Sequence, residues 1–421
     1  MAKRPLSLCV WTVAAGLCLS GQASAPVDIL LARIKFQVGE SLQGLPNYTC
    51  LETVERQERA SASKSYTPVD RLRLEVALVN RKEYFAWPGE NQFEERSIGE
   101  MIPLGTISSG NFALHAYSVF LSTEPTFNYI GETIRDGRRL LRYDYRVPVE
   151  RSGYTLRVPP RQAPVGFHGS FFVDRESLDL VRLEVVADDI PAYLGVDAAS
   201  DTMEYSRVQM GGAGFMLPSH SELSLTRSGG VETRNQTHFS GCRQFAGESF
   251  ISFEGAPEAP RGTASASVSE ATLPPAATLY LILDTPIDSA KSAVGDAVTA
   301  RLENNVKADG AVVIPKGARV NGRITRLERA TGDVPHYRLQ LHFFTVEFGQ
   351  SRADFTAHLE GVVVAGGSST FQNGAVRIPY AGDRRTYIVV SDQVTSPGEG
   401  ALVITGNRVE LPRGLRMVWR N

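Results

Sequence analysis

The residues that could support nucleophilic chemistry are few, and His168-Gly169-Ser170 brings a base and a hydroxyl closest together in sequence. A serine becomes a nucleophile when a neighbouring histidine accepts its proton, which requires the two side chains to meet at hydrogen-bond distance. On a strand, successive residues point to opposite faces, and residues two apart do not align with each other. We therefore interpret this pair as a chance juxtaposition rather than a catalytic dyad.

Metal binding is the second chemistry that the residue types allow. The seven histidines are scattered, with no two at metal-ligand spacing on a clear helix: His115, His168, His220, His238, His336, His342 and His358. Asp284 and Asp288 flank the end of a predicted strand and could bind Ca²⁺, which needs several oxygen ligands. Capping of the adjoining turn is the simpler interpretation of these two carboxylates. The sequence thus predicts no metal ligands.

Common catalytic and cofactor-binding motifs are absent, including G-x-S-x-G, H-E-x-x-H, C-x-x-C and G-x-x-x-x-G-K-[ST]. We therefore predict no catalytic residues, no cofactor and no enzymatic activity. The net charge is −2, from 44 basic and 46 acidic residues, so no overall field draws the chain to nucleic acid. One local basic face is interpreted as a solvated strand face; it contains Arg135, Arg138, Arg139, Arg142 and Arg146.

Residues 1–25 have the pattern of a secretion signal. Lys3 and Arg4 precede an apolar run from Leu8 to Leu19, and small residues follow it up to Ala25. Cleavage is expected after Ala25 or, because Pro26 would follow that cut, after Ala23. No later run reaches the roughly 18 apolar residues of a spanning helix. We expect a periplasmic or secreted protein without a transmembrane segment once the signal is removed.

The cysteines fit an exported protein. Cys9 and Cys18 lie in the signal, which leaves Cys50 and Cys242 in an oxidising compartment. A disulfide between these two is expected there, and two unpaired buried thiols are the alternative. Closing a loop this long lowers the conformational entropy of the unfolded chain, which corresponds to roughly 4–5 kcal/mol of stability.

The predicted elements are one helix followed by many short strands. Val27 to Leu45 has apolar residues at helical spacing, and Gly44 and Pro46 end it. Arg71 to Val79 alternates as a half-buried strand, and Asp136-Gly137 joins two strands of a hairpin. Ser97 to Leu121 is partly helical. We predict a mainly β protein: an α+β antiparallel half-barrel with an N-terminal helix, followed by a small all-β barrel.

Two phrases in the first half carry a family resemblance. They are Gly169-Ser170-Phe171-Phe172-Val173-Asp174, followed by Leu178-Asp179-Leu180-Val181-Arg182-Leu183, and the later Tyr205…Gly214-Phe215-Met216-Leu217-Pro218. With the preceding amphipathic helix, residues 26–253 resemble the periplasmic lipoprotein-carrier (LolA/LolB-type) fold. This resemblance implies a curved half-barrel that holds acyl chains in an apolar cavity under a helical lid. The chain is longer than these carriers by the region 90–122.

The second half begins after a segment rich in Pro, Ala, Ser and Thr, residues 254–277, which is expected to be a flexible linker. Residues 278–421 then contain Asp284-Thr285-Pro286-Ile287-Asp288-Ser289, a turn at Val294-Gly295-Asp296, and Ile314-Pro315-Lys316-Gly317. This series resembles the C-terminal β-barrel of the TrbI-type conjugation-scaffold family. Complete scaffolds carry an inner-membrane helix where this chain has a signal, so the resemblance implies a fold rather than a role in conjugation.

The sequence therefore predicts an exported cell-envelope protein that binds a partner without transforming it. The first hypothesis is a lipid, lipoprotein or other apolar ligand held by the N-terminal half-barrel. The alternative is an envelope scaffold that contacts a protein partner through the C-terminal barrel. A hydrolase with a spatially assembled site is the third hypothesis. No nucleic-acid partner is expected.

Overall fold

A computed structural model of the chain describes residues 25–90, 93, 97–123, 125–244, 269–330, 334–363, 375–377, 387–391 and 396–421. The predicted signal, up to residue 24, lies outside these residues. Most of the described chain forms two antiparallel sheets, so the predicted fold class is confirmed. None of the helices in the described ranges is both long enough and apolar enough to span a membrane.

The helices and the strands of the first sheet follow the predicted pattern closely. The helices are α1 (Ala25–Gln43), α2 (Ile98–Met101) and α3 (Leu114–Phe120). The strands are β1 (Tyr48–Arg59), β2 (Thr67–Val79), β3 (Lys82–Ala86), β4 (Thr126–Arg135), β5 (Arg138–Val147), β6 (Thr155–Val158), β7 (Arg161–Pro164), β8 (Gly166–Asp174), β9 (Leu180–Asp188), β10 (Val196–Met210), β11 (Ala213–Arg227) and β12 (Glu232–Gln244).

Ten of these strands form the half-barrel in the order β3-β2-β1-β12-β11-β10-β9-β8-β5-β4, and β6 pairs with β7. Most neighbouring strands of this sheet are joined by tight turns. Asn80-Arg81 and Asp136-Gly137, for example, adopt the left-handed backbone of two-residue hairpin loops. Only the pairing of β1 with β12 joins distant parts of the chain. Cys50 on β1 and Cys242 on β12 are joined by a disulfide at this pairing.

The second half of the chain contains the strands β13 (Ser269–Ala271), β14 (Thr278–Leu283), β15 (Ile287–Asp288), β16 (Ala297–Leu302), β17 (Val306–Ala308), β18 (Ala311–Ile314), β19 (Arg319–Ala330), β20 (His336–Phe348), β21 (Ser351–Asp354), β22 (His358–Val363), β23 (Ala375–Arg377), β24 (Tyr387–Ser391), β25 (Glu399–Thr405), β26 (Glu410–Leu411) and β27 (Arg416–Arg420). Strand β15 pairs with β26 and β17 with β18, and the other strands form the second sheet. The main order is β22-β27-β14-β16-β19-β20-β25-β24-β23. Because β22 also packs against β24 and β25, the sheet curls into a barrel around Trp419.

The end of the predicted linker is corrected by the structure. Residues 254–268 lie outside the described part of the chain, but Ser269–Ala271 form β13, which pairs in parallel with β21. Leu273 is buried in the apolar core. Parallel strand pairing and this buried leucine anchor the segment, so the second sheet begins before the predicted boundary at residue 278. The division of the chain into two domains otherwise stays a prediction.

The two sheets meet at the turn predicted around Gly295. Val294 N donates to Arg71 O at 2.9 Å, and Arg73 N donates to Val294 O at 2.8 Å. Gly295 has a φ of +101°, and a Cβ there would lie 2.2 Å from Arg73 O, so only glycine fits. One continuous apolar cluster includes Leu72 of the half-barrel and Trp419 of the second barrel. We call this contact the inter-sheet junction.

Candidate functional site

An apolar floor lies on the concave face of the half-barrel, beneath α1. Its buried aromatic residues come from three strands of the sheet, β5, β8 and β10: Tyr143, Tyr145, Phe167, Phe171 and Tyr205. The rings of Tyr143 and Phe171 stack with centroids 5.2 Å apart. Helix α1 covers this floor with one apolar ridge, Ile34, Val38 and Leu42, while Ile29 and Phe36 on its other side are exposed. The helix therefore acts as a cover over an aromatic surface.

The cover is attached mainly by apolar contact. Among the described residues, its polar contacts to the rest of the half-barrel are weak: Tyr117 Oη donates to Leu42 O at 3.4 Å, and Lys35 Nζ lies 5.0 Å from the centre of the Phe127 ring. No ion pair joins α1 to a strand in this part of the chain. Helix α1 could thus shift without leaving a buried charge unpaired.

A seam remains open between α1 and the floor. It contains a cavity of about 10 Å³, roughly the space of one water molecule. Apolar side chains form its walls and polar ones its rim: Val38, Leu42, Leu180, Tyr205 and Met216, with Ser41 and Asp179. Asp179 is held at this rim by Arg207 Nη2 at 2.6 Å. The seam therefore has an apolar interior and a polar edge, which match the apolar chain and the polar head of an amphiphile.

Residues 97–123 pack inside the half-barrel beside α1, and we call them the plug. They make up most of the region 90–122, which the sequence comparison predicts to be extra length. Phe112 packs on β1 and β12, with its ring centroid 4.9 Å from that of Tyr48 and 5.2 Å from that of Phe239, and the Phe120 ring lies 5.0 Å from that of Phe171 in the floor. The plug therefore fills part of the half-barrel with the chain's own side chains.

Polar groups from several strands fasten the backbone of the plug. Arg56 Nη1 donates to Leu104 O at 2.5 Å, while Asp70 holds the same guanidinium through Nε at 2.7 Å. Asn235 Nδ2 donates to Thr106 O at 2.8 Å. Glu83 accepts the N–H of Gly110 at 2.7 Å and that of Ala113 at 3.0 Å. These polar side chains pair backbone groups of the plug that face the strands.

Carboxyl groups beside the plug are buried without cations. Burial raises the pKa of Glu52 to about 8, and the nearby Glu83 and Asp201 raise it further. Burial also raises the pKa of Asp201 to about 7, although Ser108 Oγ donates to its Oδ2 at 3.2 Å. Burial lowers the pKa of His115 to about 4. Neutral forms of these groups are therefore favoured inside the half-barrel.

A polar cleft of about 310 Å³ separates parts of the two sheets beside the inter-sheet junction. Most guanidinium groups that line it are already paired with carboxylates: Arg56 with Asp70, Arg71 with Glu55, and Arg408 with Asp288. The Nε atom of Arg329 is buried without a hydrogen-bond partner, and its Nη2 donates to Asn407 Oδ1 at 3.4 Å. The cleft is polar, unlike the seam beneath α1.

The structure does not bring the candidate nucleophile and base together. His168 Nδ1 lies 2.8 Å from Asp188 Oδ1, whereas Ser170 Oγ donates to Asp144 Oδ1 at 2.7 Å. Asp288 Oδ1 accepts the N–H of Ala290 at 3.0 Å, as expected of a turn cap, and also pairs with Arg408. Asp284 pairs with Arg301. No group of three or more His, Cys, Asp or Glu among the described residues could hold a metal ion.

The predicted basic face is largely neutralised. Arg135 pairs with Glu204 at 3.0 Å, Arg138 with Asp174 at 3.0 Å, and Arg142 with Asp144 at 3.0 Å.

Sequence reasoning missed the residues that fasten the plug. The available signal was the extra length of region 90–122 together with polar residues at inward positions of strands, such as Glu52 and Asn235.

Comparisons with known proteins identify no family. No protein-family model matches the chain, and no curated protein matches it. Among solved structures, a domain assigned to outer-membrane lipoprotein sorting from Vibrio parahaemolyticus is 11% identical, covering 52% of this chain and 93% of its own, with a TM-score of 0.29. A DUF1329 family protein from Desulfovibrio piger is 12% identical, covering 52% and 94%, with a TM-score of 0.29.

The lipoprotein LppX from Mycobacterium tuberculosis is 10% identical to the chain. The match covers 53% of this chain and 100% of that one, with a TM-score of 0.21. All three TM-scores lie below 0.5, and the function proposed below therefore rests on the chain's own residues and contacts.

Proposed function

We propose that the chain is an exported, non-enzymatic binding protein of the bacterial cell envelope, and that its half-barrel receives an acyl chain beneath α1. The observation that carries this proposal is the aromatic floor covered by a helix that contributes one apolar ridge. The polar rim of the seam suits the head of an amphiphile, and its apolar walls suit the chain.

The ligand enters by displacing α1, because the seam as it stands is too small for an acyl chain. Lifting the ridge of Ile34, Val38 and Leu42 exposes the aromatic floor to the ligand, which replaces the apolar contacts that the helix made. The plug remains in place during this movement, because buried hydrogen bonds to Arg56, Glu83 and Asn235 hold it. The plug therefore limits the ligand to the part of the half-barrel under α1.

The test compares the full chain with a variant whose cover is locked. Ser41→Cys and Met216→Cys place thiols on opposite walls of the seam, and a short bis-thiol reagent then bridges them. Native mass spectrometry of protein purified without detergent detects bound lipid, and cis-parinaric acid measures the affinity for a fatty acid. We expect binding before bridging and a loss of at least about tenfold after it, because the closed seam holds roughly one water.

A matched control separates locking from chemical modification. Gln37→Cys carries the same reagent on the exposed face of α1 and should bind as the parent protein does. Equal binding by the bridged and unbridged proteins would overturn the proposal, as would the absence of any bound lipid mass and of parinaric-acid binding in the parent.

A further inference from the structure

Two histidines from opposite strands meet on the outer face of the half-barrel. His220 on β11 and His238 on β12 are directly paired in the antiparallel register. Their Nδ1 atoms are 3.3 Å apart, and their ring centroids are 4.5 Å apart. His238 is exposed and His220 is half-buried, so both rings can be reached from solvent. This pair lies on the opposite face of the sheet from the proposed lipid site.

The separation of the two nitrogen atoms fits a shared metal ion. Imidazole nitrogen lies about 2.0–2.1 Å from zinc, so two such ligands at tetrahedral angles are about 3.3–3.4 Å apart. The observed distance of 3.3 Å between the two Nδ1 atoms already matches this separation, so neither ring needs to move. Without a metal, one Nδ1–H can donate to the other Nδ1 at the same distance, and the metal would replace that shared proton.

Two carboxylates lie on the same face as the pair. Glu204 on β10 is paired in register with His220, and Glu222 lies two residues further along β11. Arg182 and Arg135 both pair with Oε1 of Glu204, which neutralises this carboxylate, whereas Glu222 accepts a hydrogen bond from Gln236 Nε2 at 3.1 Å. Glu222 is therefore the carboxylate placed to favour a cation at the pair. A metal ion binds the lone pair of a neutral imidazole.

We propose that His220 and His238 bind a divalent transition-metal ion that prefers imidazole, Zn²⁺ or Cu²⁺, on the outer face of β11 and β12. No third protein ligand completes the site among the described residues. The bound ion therefore keeps positions for water, as open zinc sites do. Zinc and copper both accept imidazole readily, whereas Mg²⁺ and Ca²⁺ prefer oxygen ligands and are excluded.

The experiment titrates the full chain, purified without a histidine tag, with ZnCl₂ in a calorimeter. We expect one Zn²⁺ per chain, and at least about a tenfold weaker affinity for His220→Ala and for His238→Ala. Removing even an outer partner of a metal ligand costs about 10–100-fold in affinity, so losing a ligand should cost no less. Ca²⁺ and Mg²⁺ should give no heat at this site.

His168→Ala is the matched control, because His168 is also an exposed strand histidine but is paired with Asp188. Its Zn²⁺ affinity should equal that of the parent. With Cu²⁺, electron paramagnetic resonance should show coupling to two imidazole nitrogens in the parent and to one in His238→Ala. Because His238 is exposed, we expect His238→Ala to fold. This variant therefore tests the proposal even if His220→Ala does not fold.

Two results would overturn the proposal. One is the absence of stoichiometric Zn²⁺ binding by the parent at millimolar concentration. The other is unchanged binding by His238→Ala, which would assign the metal to other residues.

Discussion

The interiors of the two barrels are made of different residues. Within the described residues, the second barrel buries a single polar side chain, Thr345, around an apolar core that includes Trp419. The half-barrel buries many more: Thr49, Glu52, Arg56, Asn111, His115, Ser170, Asp201, Ser221, Asn235 and Thr237. Burying polar groups costs stability unless each is paired. The second barrel is therefore built around an apolar core, whereas several buried polar side chains of the half-barrel hold the backbone of the plug.

Trp419→Ala should have the largest effect on the free energy of unfolding. Trp419 is fully buried, and its ring lies 5.3 Å from those of Phe343 and Phe355. Removing such a side chain leaves a cavity and typically costs about 3–5 kcal/mol. Urea denaturation of the full chain measures the change. Tyr280→Ala, on a neighbouring strand but 41% exposed, should cost much less. Equal losses in the two variants would contradict the assignment of Trp419 to the apolar core of the second barrel.

Removing the disulfide should have the next largest effect, and on the half-barrel. Cys50→Ser together with Cys242→Ser releases the link between β1 and β12, the pairing in that sheet that joins the most distant parts of the chain. Loss of a native disulfide typically costs about 2–5 kcal/mol. The melting temperature of the double variant, compared with that of the parent, checks this. An unchanged melting temperature, together with free thiols detected in the parent, would contradict the presence of this disulfide.

A pH dependence between 6.5 and 8 should be the smallest of these effects. Above pH 6.5 the unfolded chain has released the Glu52 proton, but the folded chain keeps it until the pH nears 8. The unfolded state therefore binds fewer protons, and the free energy of unfolding falls as the pH rises through this window. One retained proton changes the free energy of unfolding by at most about 1.4 kcal/mol per pH unit, which gives about 1–2 kcal/mol over this pH window.

Glu52→Gln should reduce this slope to the part that Asp201 contributes, because burial raises the pKa of Asp201 to about 7. Glu58→Gln, on the same strand but not buried, should leave the parent slope unchanged. His115, with its pKa lowered to about 4, is neutral in the folded chain, while the unfolded histidine loses its proton around pH 6.5, so its opposite contribution is confined to the low end of this window. Chemical denaturation at several pH values measures the slope. A parent protein whose stability is constant from pH 6.5 to 8 would contradict the burial of an uncharged Glu52.

The sequence predicted the parts of the fold that local patterns determine. Helix α1 and the hairpin at Asp136-Gly137 both occur where residue spacing placed them, and strand β19 runs through Asn321-Gly322. At Gly322 a Cβ would lie 2.5 Å from His342 O, which explains a glycine inside a strand rather than a turn. The resemblance of the second barrel to the conjugation-scaffold family stays a prediction.

The sequence did not predict features that depend on distant strands. The position of the plug is set by side chains from β1, β3 and β12, which no local window contains. The histidine pair could have been found, because His220 and His238 are equally far from Gly229 in the turn that joins their strands. The inter-sheet junction had no such signal, because Gly295 was recognised as a turn without any indication of what it contacts.

The inter-sheet junction limits how the chain can be divided. The N–H groups of Arg73 and Val294 each have their acceptor on the other sheet, and Leu72 and Val294 are buried there. Deleting either sheet would expose the apolar side chain that the other contributes to the junction and leave its N–H donor to water. We therefore expect neither sheet alone to keep the stability that it has in the full chain.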